Sequence, residues 1–150
     1  MKKILFICHG NICRSPMAEM ILKDMVRKCG LQEQFDIASC ATSTEEIGNP
    51  VYPPARAELA RQGIKCEQRV ARQLTRVDYE KYDLLIGMDS YNIRNMHRML
   101  GGDPQGKIRR MMDYTARGGD VADPWYTGDF SVTYRDICEA CEGLLQSLKK

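Results

Sequence analysis

The stretch Lys3-Ile4-Leu5-Phe6-Ile7-Cys8-His9-Gly10-Asn11-Ile12-Cys13-Arg14-Ser15-Pro16 decides how the rest of the chain is read. Its first five residues form an unbroken apolar run with β-branched and aromatic members. Such a run reads as a strand buried on both faces of a parallel sheet. A short loop from Cys8 to Arg14 follows. Ser15-Pro16 then predicts an N-cap with proline in the first helical position. Met17, Ile21, Leu22, Met25 and Val26 recur at helical spacing after it, and Gly30 closes the element. Strand, loop and helix thus come in that order within the first thirty residues.

Outward from this unit the pattern repeats. Further strands are predicted over 35–39, 83–87 and, more weakly, 107–112. Helices are predicted over 55–62, from Asp89 or Ser90 to Leu100, and over 131–148, where Ile137, Cys141, Leu144, Leu145 and Leu148 share a stripe. Residues 42–54 and 113–129 read as polar loops. Long loops in small domains are often functional. Alternating strands and helices imply an α/β fold, a three-layer sandwich with a mostly parallel four-stranded sheet. In such folds ligands bind beyond the C-terminal ends of the strands, here the loop that begins at Cys8.

The chain has 150 residues, which predicts a single domain over 1–150. Hydrophobic residues make up 43% and charged residues 28%, typical of a globular protein. Basic and acidic residues nearly cancel, leaving a net charge of +2. So small an excess argues against a nucleic-acid binder. No apolar run approaches the ~20 residues that span a membrane, and the apolar stretch near Met1 is too short for a signal peptide. The Cys count is 7, an odd number that fits free thiols in a reducing cytoplasm better than a disulfide framework.

Cys8 and Arg14 are six positions apart, but so are Cys66 and Arg72. Only the first pair follows a buried strand, encloses a glycine and precedes a Ser-Pro helix start. A loop in that setting aims backbone N–H groups inward, and the helix end adds positive potential. Gly10 lets the backbone approach an anion. Asn11 tolerates left-handed dihedrals. The Arg14 guanidinium can grip two oxygens together. The same features favour a thiolate at Cys8, to which Ser15 can donate. The expected ligand is a tetrahedral dianion such as phosphate. A thiolate attacking phosphorus also needs an acid for the leaving group. Asp123 is a candidate, beside Pro124, Trp125 and Tyr126. Composition alone favours the plainer reading, an Asp-Pro turn with aromatics folded into the core. Asp89, Asp113, Asp120 and Asp129 are rival acids.

Together these motifs resemble a known family. Cys8-His9-Gly10-Asn11-Ile12-Cys13-Arg14-Ser15-Pro16 with Met17-Ala18-Glu19 resembles the phosphate-binding loop of the low-molecular-weight protein tyrosine phosphatases. Asp120-Val121-Ala122-Asp123-Pro124 with two aromatics resembles their acid loop. Weaker echoes lie at Ser39 to Ser43, Ile47-Gly48-Asn49-Pro50, Ala71-Arg72-Gln73 and Met88-Asp89 with Asn92. The resemblance implies a flavodoxin-like, Rossmann-like sandwich without cofactor or metal. It implies a hydrolase acting on phosphotyrosine, in a protein or a small aryl phosphate. Cys8 would be the nucleophile, forming a phosphocysteine intermediate, and Asp123 the acid and then the base. Arg14 and the loop from His9 to Cys13, with Ser15, would bind the phosphoryl group. Trp125 and Tyr126 would flank the phenyl ring. Ser39, with Asn11 and Ser15, would support the loop. Cys13 would guard Cys8 through a reversible disulfide. Inorganic phosphate would be product and inhibitor, and the protein a cytoplasmic monomer or weak dimer.

Some positions depart from the family pattern. His9 stands where an aliphatic residue or threonine is common, at the rim or tuning the thiolate. Arg69 stands where many members carry histidine, and Glu45 where some present an aromatic wall. Protein-arginine phosphatases of the same fold typically carry threonine at the position of Ile12. Thioredoxin-coupled arsenate reductases need a cysteine pair in the region 87–100, which has none. Phosphocysteine carrier domains lack the loop arginine and the acid loop. Cys138 and Cys141 lie one helical turn apart and read as packing residues, as do Cys29, Cys40 and Cys66.

Overall fold

The computed structural model describes residues 1–149; Lys150, the end of the basic tail, lies outside the described residues. Strand β1 (Lys2–Cys8) is the inner strand, as its unbroken apolar run requires. It pairs in parallel with β2 (Phe35–Ala41) on one side and β3 (Leu84–Gly87) on the other. A short β4 (Ile108–Arg110) completes the order β2-β1-β3-β4, the flavodoxin-like arrangement with four strands.

Alternation along β1 divides the core. Ile4 and Phe6 face a cluster built from Met17, Ile21 and Leu22 of α1 (Arg14–Lys28) and Ile137, Cys141 and Leu144 of the last helix. Leu59 of α2 (Pro53–Arg61) joins that layer. Leu5 and Ile7 face the opposite layer. Tyr79 of α3 (Arg76–Lys81) and Met96 of α4 (Ser90–Leu100) cover them. Each fully buried side chain of this size contributes about 1.5–3 kcal/mol. Two further helices follow, α5 (Pro124–Thr127) and α6 (Phe130–Leu148). No helix among the described residues is long and apolar enough to cross a membrane.

Helix α3 is absent from the sequence-based expectation. It is short and polar, and is held by a capping box between Thr75 and Asp78 rather than by an apolar stripe. The fourth strand is cut to residues 108–110 because Met111–Tyr114 turns into a 3₁₀ helix. The loop expected over 113–129 contains α5, which Asp123 caps. Cys29 does not fill space: it lies exposed at the end of α1.

The order 2-1-3-4 means that the chain leaves β1 and β3 toward opposite edges. A crevice therefore opens beyond their C-terminal ends, between Cys8 and Met88-Asp89.

Candidate active site

Helix α1 begins earlier than the Ser-Pro signal implied. Cys13 is the N-cap, and no side chain caps the helix end. Ser15 and Pro16 are already inside the first turn. Ser15 is fully buried, and its hydroxyl turns instead toward the preceding loop, 3.0 Å from Cys8 Sγ. No side chain therefore competes for the amides at this helix end, an arrangement that attracts an anion.

Within the loop, Asn11 is the one non-glycine residue at positive φ, 60°. Its backbone N–H points at Cys8 Sγ across 3.3 Å. Its side chain points away from the crevice. Asn11 Nδ2 donates to Ser15 Oγ at 2.7 Å and to Ser39 Oγ at 3.0 Å. Ser39 in turn donates to Glu19 Oε1 at 2.6 Å. From the far side Arg69 donates to the Asn11 carbonyl at 2.8 Å and also to Asn11 Oδ1. The Asn11 and Ser15 side chains therefore brace the loop from behind the pocket, the support role expected of them with Ser39. Their polar atoms are consumed by the brace. Gly10 keeps negative φ, and its requirement is close approach: a Cβ there would meet Glu46 Cγ at 3.3 Å.

The crevice is a cavity of about 630 Å³. Cys8, Gly10, Ile12, Cys13 and Arg14 line its floor. Glu45 and Glu46 form one wall; Tyr91, Trp125 and Tyr126 stand on the other. His9 is exposed at the rim and pairs with Glu45. Trp125 and Tyr126 are 61% and 90% exposed, which removes the reading of a core-packed turn. Trp125 leans on Tyr52 with ring centroids 4.8 Å apart.

Arg14 joins both ends of the chain. Buried beside Cys8, it donates to Asp89 Oδ2 at 2.8 Å and lies 3.5 Å from Asp123 Oδ2. Burial alone would lower its pKa, but the charges of Cys8, Asp89 and Asp123 outweigh that and hold it above its ordinary value. Geometry sorts the rival acids. Asp113 pairs with Arg110, and Asp120 accepts from Ser90 N. Asp129 caps α6. Asp89 spends one oxygen on Arg14 and the other on the Asn92 amide. Asp123 uses Oδ1 to accept from Trp125 N at 3.0 Å, leaving Oδ2 toward the cavity. Its loop is pinned where Val121 N bonds Met88 O and Ala122 N bonds Asp136 Oδ2. Burial, then the charges of Cys8 and Asp123, push the Cys13 thiol up to about 12.

A thiol, a buried guanidinium, unpaired amides and an acid from 109 positions beyond Arg14 meet in one crevice. The model of the low molecular weight phosphotyrosine protein phosphatases matches residues 3–150. The chain belongs to that family. It is 39% identical to the low molecular weight protein-tyrosine-phosphatase YfkJ of Bacillus subtilis, covering 100% of this chain and 97% of that one. It is 35% identical to the family's enzyme from Schizosaccharomyces pombe, covering 97% and 96%. The crystal structure of YfkJ superimposes with a TM-score of 0.95 over 99% of this chain and 95% of that one, at 38% identity. Against this family pattern, the residues that sequence reasoning missed are Tyr91, Asn95 and Glu46 in the walls and Tyr52 beneath Trp125. Tyr91 and Asn95 lie beside the Met88-Asp89 and Asn92 echo and Glu46 beside Glu45, but none of the four carries a chemical pattern of its own that marks it.

Proposed function

We propose that this phosphatase hydrolyses phosphotyrosine through a phosphocysteine intermediate. The observation that carries the reading is Arg14, buried between Cys8 and Asp123 so that nucleophile, phosphate clamp and acid share one cavity. Cys8 Sγ attacks phosphorus in line with the departing tyrosyl oxygen. Arg14 and the loop amides hold the non-bridging oxygens and stabilise the charge of the transition state. Asp123 Oδ2 gives its proton to the leaving phenolate. The same carboxylate then takes a proton from water, which displaces Cys8 and releases inorganic phosphate. Phosphate left in the loop inhibits the enzyme. Trp125 and Tyr126 flank the phenyl ring, and Ile12 adds apolar surface at the floor.

Cys13 fits a protective role. Peroxide converts the Cys8 thiolate to a sulfenic acid. The Cys13 thiol attacks it, a disulfide forms and water leaves. Reducing thiols of the cytoplasm restore both. The free cysteines support that compartment, and one domain acting as a monomer or weak dimer suffices for the chemistry.

Phosphoarginine is the second reading. It draws on the likeness to a drosophila arginine phosphatase, with a TM-score of 0.89 at 30% identity. Ile12, in place of a threonine, favours phosphotyrosine. The deciding experiment is turnover of phosphotyrosine and phosphoarginine peptides by wild type and Cys8→Ser. Preferred hydrolysis of phosphotyrosine, lost in Cys8→Ser, is the expected result. Wild-type rates in that variant would overturn the mechanism, and a preference for phosphoarginine would overturn the substrate.

A further inference from the structure

Helix α6 packs on the core through an apolar stripe, yet two polar side chains interrupt its buried face. Thr133 is fully buried and Asp136 is only 4% exposed. Taking a carboxylate out of water costs several kcal/mol unless strong partners compensate it. Its partners therefore show what Asp136 does. Asp136 Oδ2 accepts from Ala122 N at 3.1 Å, and Oδ1 accepts from Arg117 Nη2 at 2.9 Å. Thr133 Oγ1 donates to Ala122 O at 2.9 Å. The two peptide groups that flank the Ala122 Cα are thus fixed by side chains of α6, not by a sheet or helix ladder. The second of them carries the nitrogen of Asp123. Two more anchors come earlier in the loop. Asp120 Oδ1 accepts from Ser90 N at 3.1 Å, and Val121 N donates to Met88 O at 2.9 Å. Only the α6 pair grips the residue next to Asp123.

We propose that Asp136, assisted by Thr133, is a positioning residue that fixes Ala122 and so aims Asp123 at the leaving-group oxygen. The inference rests on the proposed acid role of Asp123, and it adds residues that lie outside the cavity lining. The reason lies in the freedom left to Asp123. Its Oδ1 is spent on Trp125 N at 3.0 Å, at the start of α5. Oδ2 therefore faces the cavity only while the Asp123 main chain keeps its place at that helix end. Rotation of the preceding peptide group would swing Oδ2 away from Arg14, from which it lies 3.5 Å. A reacting group displaced by about 1 Å can lose about 10²-fold in rate.

The test compares kcat/KM for phenyl phosphate and p-nitrophenyl phosphate. The two esters are close in size but differ in how much the leaving group needs a proton. In Asp136→Ala, kcat/KM on phenyl phosphate should fall roughly 10- to 100-fold, and on p-nitrophenyl phosphate by less than about threefold. Asp136→Asn keeps an oxygen for Ala122 N and should recover most of the loss. Thr133→Val should show the same selective loss to a smaller degree. In an Asp123→Ala background, adding Asp136→Ala should cost less than about twofold more on phenyl phosphate, since residues that act as a unit are not additive. Equal losses on the two esters, or a full further loss in the double variant, would reduce Asp136 to a packing residue and overturn the proposal. Wild-type turnover of phenyl phosphate by Asp136→Ala overturns it equally. Should Asp136→Ala fail to fold, Thr133→Val decides: a selective loss on phenyl phosphate supports the clamp, and its absence overturns it. Failure of the acid reading would show separately and take the proposal with it, as equal losses on both esters in Asp123→Ala with Asp136 untouched.

Discussion

Replacing Asn11 probes the loop at its centre. The side chain is fully buried and serves Ser15, Ser39 and Arg69 at once, while its backbone sits at φ 60°. Asn11→Ala removes the side-chain bonds and leaves the Arg69 fork one acceptor short, at about 1–3 kcal/mol. Alanine must also keep a left-handed backbone, which costs about 1–2 kcal/mol. The sum is about 2–5 kcal/mol, or roughly 4–20 °C in Tm for a chain of this length. Asn11→Gly loses the same bonds without the backbone penalty, so it should unfold later than Asn11→Ala by about 1 kcal/mol. Urea unfolding of the three proteins, followed by circular dichroism, measures both differences. Equal stability of the alanine and glycine variants would refute the left-handed strain. Losses below about 0.5 kcal/mol in both would refute the hub itself, since that is the scale of an ordinary surface change.

Other predictions follow from the same geometry. Asp123→Ala should lower kcat on phosphotyrosine about 10²- to 10⁴-fold, with a much smaller loss on aryl phosphates whose leaving groups need no proton; an equal loss on both points to another acid. Stability should fall as pH rises above 9.0. The buried Cys13 thiol keeps its proton to about 12, whereas the unfolded chain releases it near the ordinary 9.0, so the folded state binds more protons in that window. Thermal melts from pH 8 to 11 should show the decline, and Cys13→Ala should lessen its slope, the buried Cys40 and Cys141 thiols being held up in the same way; a slope unchanged in that variant would assign the effect to those other thiols. Gly143→Ala should abolish soluble expression or cost several kcal/mol, because a Cβ there collides with the carbonyl of Tyr114; a wild-type melting curve would contradict the packing of α6.

Much of the fold is legible without coordinates. The run from Ile4 to Ile7 is buried on both faces because it carries no polar residue for water to hold. Periodicity placed α1, α4 and α6 within a few residues. Where the reading slipped, local chemistry was serving tertiary structure. Ser15 has the sequence of an N-cap, yet its hydroxyl faces Cys8 and Asn11, because the loop closes the helix end around an anion site. Helix α3 has no apolar stripe to betray it, and a capping box holds it.

By itself the sequence determined the Cys8 to Arg14 loop, the sheet that presents it and the Asp123-Pro124 motif, because each is a contiguous run whose spacing expresses its backbone geometry. Tertiary structure alone decided which acid meets Arg14, which side chains wall the cavity, and that Asn11 faces backward into Ser39 and Arg69. Those contacts join residues from 28 to 109 positions apart. No local pattern records them, because a hydrogen bond or ion pair depends on distance in space, and only the packed sheet and helices bring those groups within reach.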